Sequence, residues 1–222
     1  MKKFRCIRDG LCCRLSPITI QSFEEVILEE IASLLGIKIV VKPGYRVYDR
    51  VHGIELALSY ILEINKNGCP FLRGNKCIVH NIYKPLICRS FPYAPKQVKY
   101  LYNDDYRFVV ASVEYGLSTK CPVIKNDMDY INKQMRKNPL FIAEYMPNEY
   151  HSGLESEKKR NLILTLLSRL WRNKVVDLKP AGKKPSNRVV NAYLFLQSYY
   201  PSLPYILGIN NVISRIRALA SI

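Results

Sequence analysis

Seven cysteines stand at positions 6, 12, 13, 69, 77, 88 and 121, gathered into two blocks and one outlier. The first block reads Phe4-Arg5-Cys6-Ile7-Arg8-Asp9-Gly10-Leu11-Cys12-Cys13. The second runs from Gly68-Cys69-Pro70-Phe71-Leu72 through Cys77 to Cys88-Arg89-Ser90-Phe91-Pro92, and Cys121-Pro122 stands apart. Thiols clustered in this way favour a soft or borderline metal, or thiol chemistry, over calcium or magnesium. A single site using both blocks obliges the fold to bring residues 6–13 against residues 69–88 across a long intervening stretch. The odd cysteine count, and the lack of an apolar stretch behind Met1-Lys2-Lys3, argue against a disulfide framework and for a reducing, cytoplasmic compartment. Gly10 and Gly68 beside the cysteines suit tight turns that aim backbone N–H groups at sulfur.

Charge is the second departure from the ordinary. Lys and Arg number 34 against 18 Asp and Glu, a formal net charge of +16. The excess is local: residues 69–100 carry Arg73, Lys76, Lys84, Arg89, Lys96 and Lys99 with no acid, and residues 161–190 hold seven basic residues against Asp177. Such blocks suit a nucleic acid or an acidic protein as partner, or else a solvated surface. Glu24, Glu25, Glu29 and Glu30 read as one acidic helix face. No apolar run approaches the roughly 20 residues that a membrane-spanning helix needs. The glycine loop of a nucleotide site and the paired histidines of a helical metalloprotease motif are both missing from the sequence.

The pattern of apolar residues divides the chain in two. Ser22 and Glu25 read as a capping box, followed by Phe23, Val26, Ile27, Ile31 and Leu34 at helical spacing and closed by Gly36. Ile37–Lys42 reads as a strand pairing with Val47–Val51 across Pro43-Gly44, and Leu56–Ile64 as a further strand. Val98–Tyr102 and Tyr106–Ser112 read as a hairpin turning at Asn103-Asp104-Asp105. From about residue 123 the pattern is helical. Met128, Ile131, Met135 and Leu140 mark one helix that Pro139 ends or kinks. Leu154–Val176 carries the stripe Leu162, Ile163, Leu166, Leu167, Leu170 and Trp171. Leu178–Pro185 is a breaker-rich linker, and Asn187–Tyr200 and Tyr205–Ala220 read as two last helices. The expected class is α+β: a cysteine-rich α+β domain over residues 1–125, then a helical C-terminal extension over residues 126–222 that packs on it.

The cysteine blocks carry a resemblance. Cys6…Gly10-Leu11-Cys12-Cys13, followed by Cys69-Pro70-Phe71-Leu72, Cys77, Lys84-Pro85 and Cys88-Arg89-Ser90-Phe91-Pro92, resembles the YkgJ-like cysteine-cluster family. Its members are described as zinc- or iron-chelating and are often labelled iron–sulfur proteins. The resemblance covers roughly residues 4–125 and does not reach residues 150–222. It implies a cofactor held by Cys6, Cys12, Cys13, Cys69, Cys77 and Cys88, with Cys121 as a further metal ligand. The implied cofactor is an iron–sulfur cluster of the 4Fe–4S type, with zinc as the alternative. Asp9 stands where the fullest family pattern has another cysteine, and one extra residue lies near Ile82. His80 and Arg89 fit supporting positions around the sulfurs, or the surface.

The expected function is therefore a metal-binding protein with its substrate and partner open. Two alternatives stand beside it: a basic, nucleic-acid-associated factor with a structural metal site, and a redox or modifying enzyme that uses a cluster. No catalytic residue can be named from the sequence. Convergence of Cys69, Cys77 and Cys88 with Cys6 and with Cys12 or Cys13 is the expected geometry.

Overall fold

The computed structural model describes residues 2–15, 17–182 and 188–220. Lys183 and Lys184 of the second basic segment lie outside the described residues, as does Pro185 of the expected linker. Helix α1 (Cys12–Leu15) leads into strand β1 (Ile18–Gln21), helix α2 (Ser22–Leu34) and four short strands, β2 (Val41–Pro43), β3 (Arg46–Asp49), β4 (Ile54–Ala57) and β5 (Ser59–Leu62). The second cysteine block forms β6 (Leu72–Arg73), β7 (Lys76–Cys77) and α3 (Leu86–Ser90). A long hairpin follows, β8 (Tyr93–Asn103) and β9 (Phe108–Leu117), and then helices α4 (Pro122–Met135), α5 (Phe141–Tyr145) and α6 (Pro147–Arg172). The chain closes with β10 (Leu178–Pro180), β11 (Val189–Asn191), α7 (Ala192–Tyr199), α8 (Leu203–Ile206) and α9 (Ile209–Ala220). Helices and mixed sheets together make an α+β protein with a helical C-terminal region.

Two small sheets share the core. One is antiparallel with strand order β1-β5-β2; the other has order β10-β3-β4-β11, with β11 parallel to β4 and the other pairs antiparallel. The single strand expected over Leu56–Ile64 is two strands in different sheets. Its break falls at Leu58, whose N–H donates to the Tyr45 carbonyl at 2.9 Å and whose carbonyl accepts from Ser22 N–H at 3.2 Å. All four residues of β4 are buried, so the sequence there shows no alternation. The expected pairing across Pro43-Gly44 does not form either. β2 pairs with β5, and β3 pairs with β4 and β10.

The breaker-rich linker supplies a strand. Leu178, Lys179 and Pro180 pair with Asp49, Tyr48 and Val47, which places Pro180 on an edge strand, where a missing N–H costs little. Residues 189–191, expected to begin a helix, instead add a parallel strand to β4 before α7 starts. Asn191 then caps α7, its side-chain oxygen accepting from Tyr193 and Leu194 N–H. The hairpin and the long helix agree with the pattern, each longer than expected.

One cluster of buried residues spans both parts of the chain. Phe23, Ile27, Leu28 and Ile31 of α2 meet Val47 and Leu56 of the second sheet, Ile163, Leu167 and Trp171 of α6, Leu196 of α7 and Ile216 of α9. A second cluster joins Phe4 and Cys121 to Ile124, Ile131, Phe141 and Tyr145. There the amino-terminal segment is fastened by Phe4 N–H to the Tyr145 carbonyl at 2.8 Å and by Lys2 to Asp127 at 2.5 Å. Among the described residues no helix is long and apolar enough to cross a membrane.

Candidate binding cleft

The first cysteine block is built by a tight turn. Gly10 has φ +72°, a left-handed conformation that favours glycine, and Asp9 Oδ1 accepts from Leu11 N–H at 3.0 Å to start α1. Asp9 thus serves the backbone. Arg14 then reaches across to the β6–β7 turn, donating to the Gly74 carbonyl at 2.6 Å and to Asn75 Oδ1 at 2.9 Å. Cys69 N–H donates to the Cys13 carbonyl at 2.7 Å. The two blocks can approach this closely because residue 68 is glycine: a Cβ there would lie 2.8 Å from the Cys13 carbonyl oxygen. Block one is therefore docked on block two by backbone contacts and by one arginine.

The second block is held from behind by a buried carboxylate. Glu24 is 1% exposed, and its Oε1 accepts from Leu86 N–H at 2.7 Å and from the Tyr83 hydroxyl at 2.9 Å. Its Oε2 accepts from Gln21 N–H at 3.0 Å, so the capping box lies at Gln21 and Glu24, one residue before the expected Ser22 and Glu25. Burial pushes the Glu24 pKa up, against the pull of these three donors. Ser22 Oγ has no hydrogen-bond partner among the described residues, while Glu25 accepts from Asn191 Nδ2 at 2.8 Å. The acidic face expected on α2 is thus half interior: Glu24 and Glu25 are buried, Glu29 is exposed, and Glu30 pairs with Arg217 at 2.9 Å.

Between these elements lies a cleft of about 740 Å³. Cys12, Cys13, Cys69, Cys77 and Cys88 all border it, from α1, the Cys69 turn, β7 and α3. Much of the remaining wall is apolar, with Ile18, Ile20, Leu62, Phe71, Val79 and Ile87 among its residues. Lys84, Lys96, Lys120 and Arg160 add cations, and Gln21, Ser59 and Ser156 add polar groups. Cys6 and Cys121 lie elsewhere. They border a smaller neighbouring recess together with Cys12, Asp9 and Phe4. Five of the thiols expected to converge therefore share one cleft, and Cys6 is not among them. His80 is half-buried beside Cys77, its pKa lowered by burial and by Lys84 and Arg8. Arg89 turns away to an ion pair with Glu155 at 2.9 Å.

The thiols differ in character. Cys12 and Cys13 Sγ are 3.9 Å apart, and this hydrogen bond, helped by Lys84, pulls the Cys12 thiol down to about 6. The same bond and burial push Cys13 up. Burial raises Cys69, Cys77, Cys88 and Cys121. Of the thiols on the cleft, Cys12 is thus the one drawn towards ionisation, while burial holds its neighbours the other way. All seven cysteines are free.

This arrangement corrects the expected function. Among the described residues, no group of three or more His, Cys, Asp or Glu side chains is placed to hold a metal ion. The sulfurs border a broad cleft from separate elements and do not close on one point. The reading as a metal-binding protein that holds an iron–sulfur cluster or zinc through clustered cysteines is overturned on this ground. The structural metal site of the nucleic-acid-associated alternative and the cluster of the redox or modifying enzyme fall with it.

Sequence reasoning missed two residues that shape the cleft. Glu24 sat in an apparent acidic stripe, although its position three residues after Gln21 marks it as a capping partner. Arg160 lies off the apolar stripe of its helix, and nothing in the sequence distinguishes it from Lys158 and Lys159. Comparison with protein-family models, with curated proteins and with solved structures finds no match.

Proposed function

We propose that this protein binds a small, largely apolar organic molecule in the thiol-bordered cleft. The observation that carries this reading is the cleft itself. Its volume, about 740 Å³, is that of a site for a drug- or cofactor-sized molecule, and apolar walls with a few converging polar groups are the usual make-up of such sites. An apolar body placed there would cover Ile18, Leu62, Phe71 and Ile87, gaining the hydrophobic free energy of the surface it removes from water. Cys12, whose thiol is drawn towards ionisation by Cys13 and Lys84, would face the bound molecule as the most nucleophilic thiol of the cleft. The free thiols support a reducing, cytoplasmic setting.

The test is titration with N-phenylnaphthylamine, a neutral apolar fluorophore that brightens and shifts to the blue when it leaves water. One saturable site is expected. Replacing Ala94, which borders the cleft, by Trp should fill part of the space and weaken binding by about tenfold or more, while leaving the fold intact. Bound probe should also slow the alkylation of Cys12, read by peptide mass. Non-saturable binding, or a probe indifferent to Ala94→Trp and to Cys12 alkylation, would defeat the reading.

A further inference from the structure

The cleft contains a cation that no acid among the described residues pairs with. Arg160 projects from α6 into its lining, and its Nη1 nitrogen is buried with no hydrogen-bond partner. Among the described residues Arg160 forms no ion pair: Glu155 holds both Arg89 and Lys159, Glu24 is taken up by Tyr83, Leu86 and Gln21, and Glu157, on the same helix near Tyr115, forms no salt bridge with it. What Arg160 does meet are the hydroxyls of Tyr100 and Tyr115, which lie within hydrogen-bonding reach of it. Those rings fix the guanidinium without neutralising it. Tyr100 is itself stacked on Tyr45, ring centroids 3.8 Å apart, and Tyr115 donates to the Gly153 carbonyl at 2.9 Å, so the supports are held in turn. Close by, Gln21 Nε2 donates to the Ser156 carbonyl at 2.8 Å and to Ser156 Oγ at 2.9 Å, which settles the other polar groups of this wall among themselves.

A buried donor left unmade is costly, and a charged one more so, so such groups are rare unless a ligand completes them. The planar fork of a guanidinium fits a carboxylate or phosphate through paired N–H···O bonds. We infer that the molecule taken by the cleft is an apolar anion, whose oxyanion head lies on Arg160 and whose apolar body extends along the wall formed by Ile18, Leu62 and Phe71. This rests on the cleft being a binding site, as proposed above, and adds the class of ligand. Lys84, Lys96 and Lys120 on the same lining raise the local positive potential, and so favour entry of an anion over a neutral or cationic analogue.

The test compares two fluorophores of one skeleton: N-phenylnaphthylamine, which is neutral, and anilinonaphthalene sulfonate, which adds an anionic head. The sulfonate should bind more tightly. Arg160→Met keeps the apolar stem and removes the charge; it should weaken the sulfonate by about tenfold or more and change the neutral probe by less than about twofold. Arg172→Met, on an exposed part of the same helix, should alter neither. Should Arg160→Met not fold, Arg160→Lys and competition on the wild-type protein give the same answer: octanoate or octyl phosphate should displace the neutral probe at concentrations about tenfold lower than octanol. Displacement by octanoate alone identifies a carboxylate, and by octyl phosphate alone a phosphate. Neutral probe bound normally, with no preference for either anion and no effect of Arg160→Met, would overturn the anion site while leaving the cleft reading standing. Failure of both fluorophores to bind would overturn the two together.

Discussion

Glu25 shows how burial turns one carboxylate of a charged stripe into a pH-dependent element of stability. It is 8% exposed, and burial followed by repulsion from Glu29 raises its pKa to about 7, against the hydrogen bond from Asn191. The unfolded chain titrates near the ordinary 4.5. The folded state therefore binds the proton more tightly. The stability Glu25 contributes is fully present below about pH 4.5 and is lost as the pH rises through about 7. Glu25→Gln removes the titration and keeps an oxygen for Asn191 Nδ2. Urea unfolding should therefore show the variant more stable than the wild type at pH 8 and the two converging at pH 4. Equal pH dependence in both proteins would count against the assignment. The sequence could not reveal this residue's role, because four glutamates on an amphipathic helix look alike until a second helix covers some of them. Here α7 and α9 do the covering. The cysteines were the opposite case: their types and spacing were plain, but whether thiols meet at a point or border a space depends on side-chain directions that spacing alone does not specify.

At the scale of elements, local signals were legible and long-range pairing was not. The β8–β9 hairpin could be read because its turn and both strands are contiguous, with Asn103 Oδ1 accepting from Tyr106 N–H at 2.8 Å inside the turn. The α6 stripe could be read because it repeats over many turns. Strands of three or four residues carry too little pattern to identify partners, and β10 and β11 join β3 and β4 from more than a hundred residues away. The link between α2 and α3 was equally hidden, since it passes through one side chain. Glu24→Ala leaves the buried Leu86 N–H without its acceptor and releases Gln21 N–H and the Tyr83 hydroxyl. The expected loss is about 3 kcal/mol, read from the urea midpoint at unchanged slope. Because α3 carries Cys88 and Ile87 into the cleft, the same variant should weaken binding of N-phenylnaphthylamine. A loss within about 0.5 kcal/mol, the range of an ordinary surface substitution, would show that the α2–α3 link is not structural.

For the whole molecule, the decisive feature is that residues 126–222 complete the core of residues 1–125. Strand β10 covers one edge of β3, and β11 covers the other edge of that sheet at β4. Phe23, Ile27, Leu28 and Ile31 are each no more than 1% exposed, and they share their cluster with Leu167 of α6, Leu196 of α7 and Ile216 of α9. A chain cut after residue 125 would expose this apolar surface and both sheet edges at once, with the remaining short strands too few to bury them. The 1–125 fragment should therefore lack near-ultraviolet circular dichroism and unfold without a cooperative transition. Trp171, the single tryptophan, is 3% exposed and belongs to the other fragment, so it reports on docking. Fragment 126–222 alone should emit like solvated tryptophan and shift to the blue when fragment 1–125 is added. The anion site would return only on mixing, because Arg160 comes from one fragment and Ile18, Leu62 and the five cleft thiols from the other. A fragment 1–125 with a sharp thermal transition of its own would show that the amino-terminal elements close a core without β10, β11 and the helices.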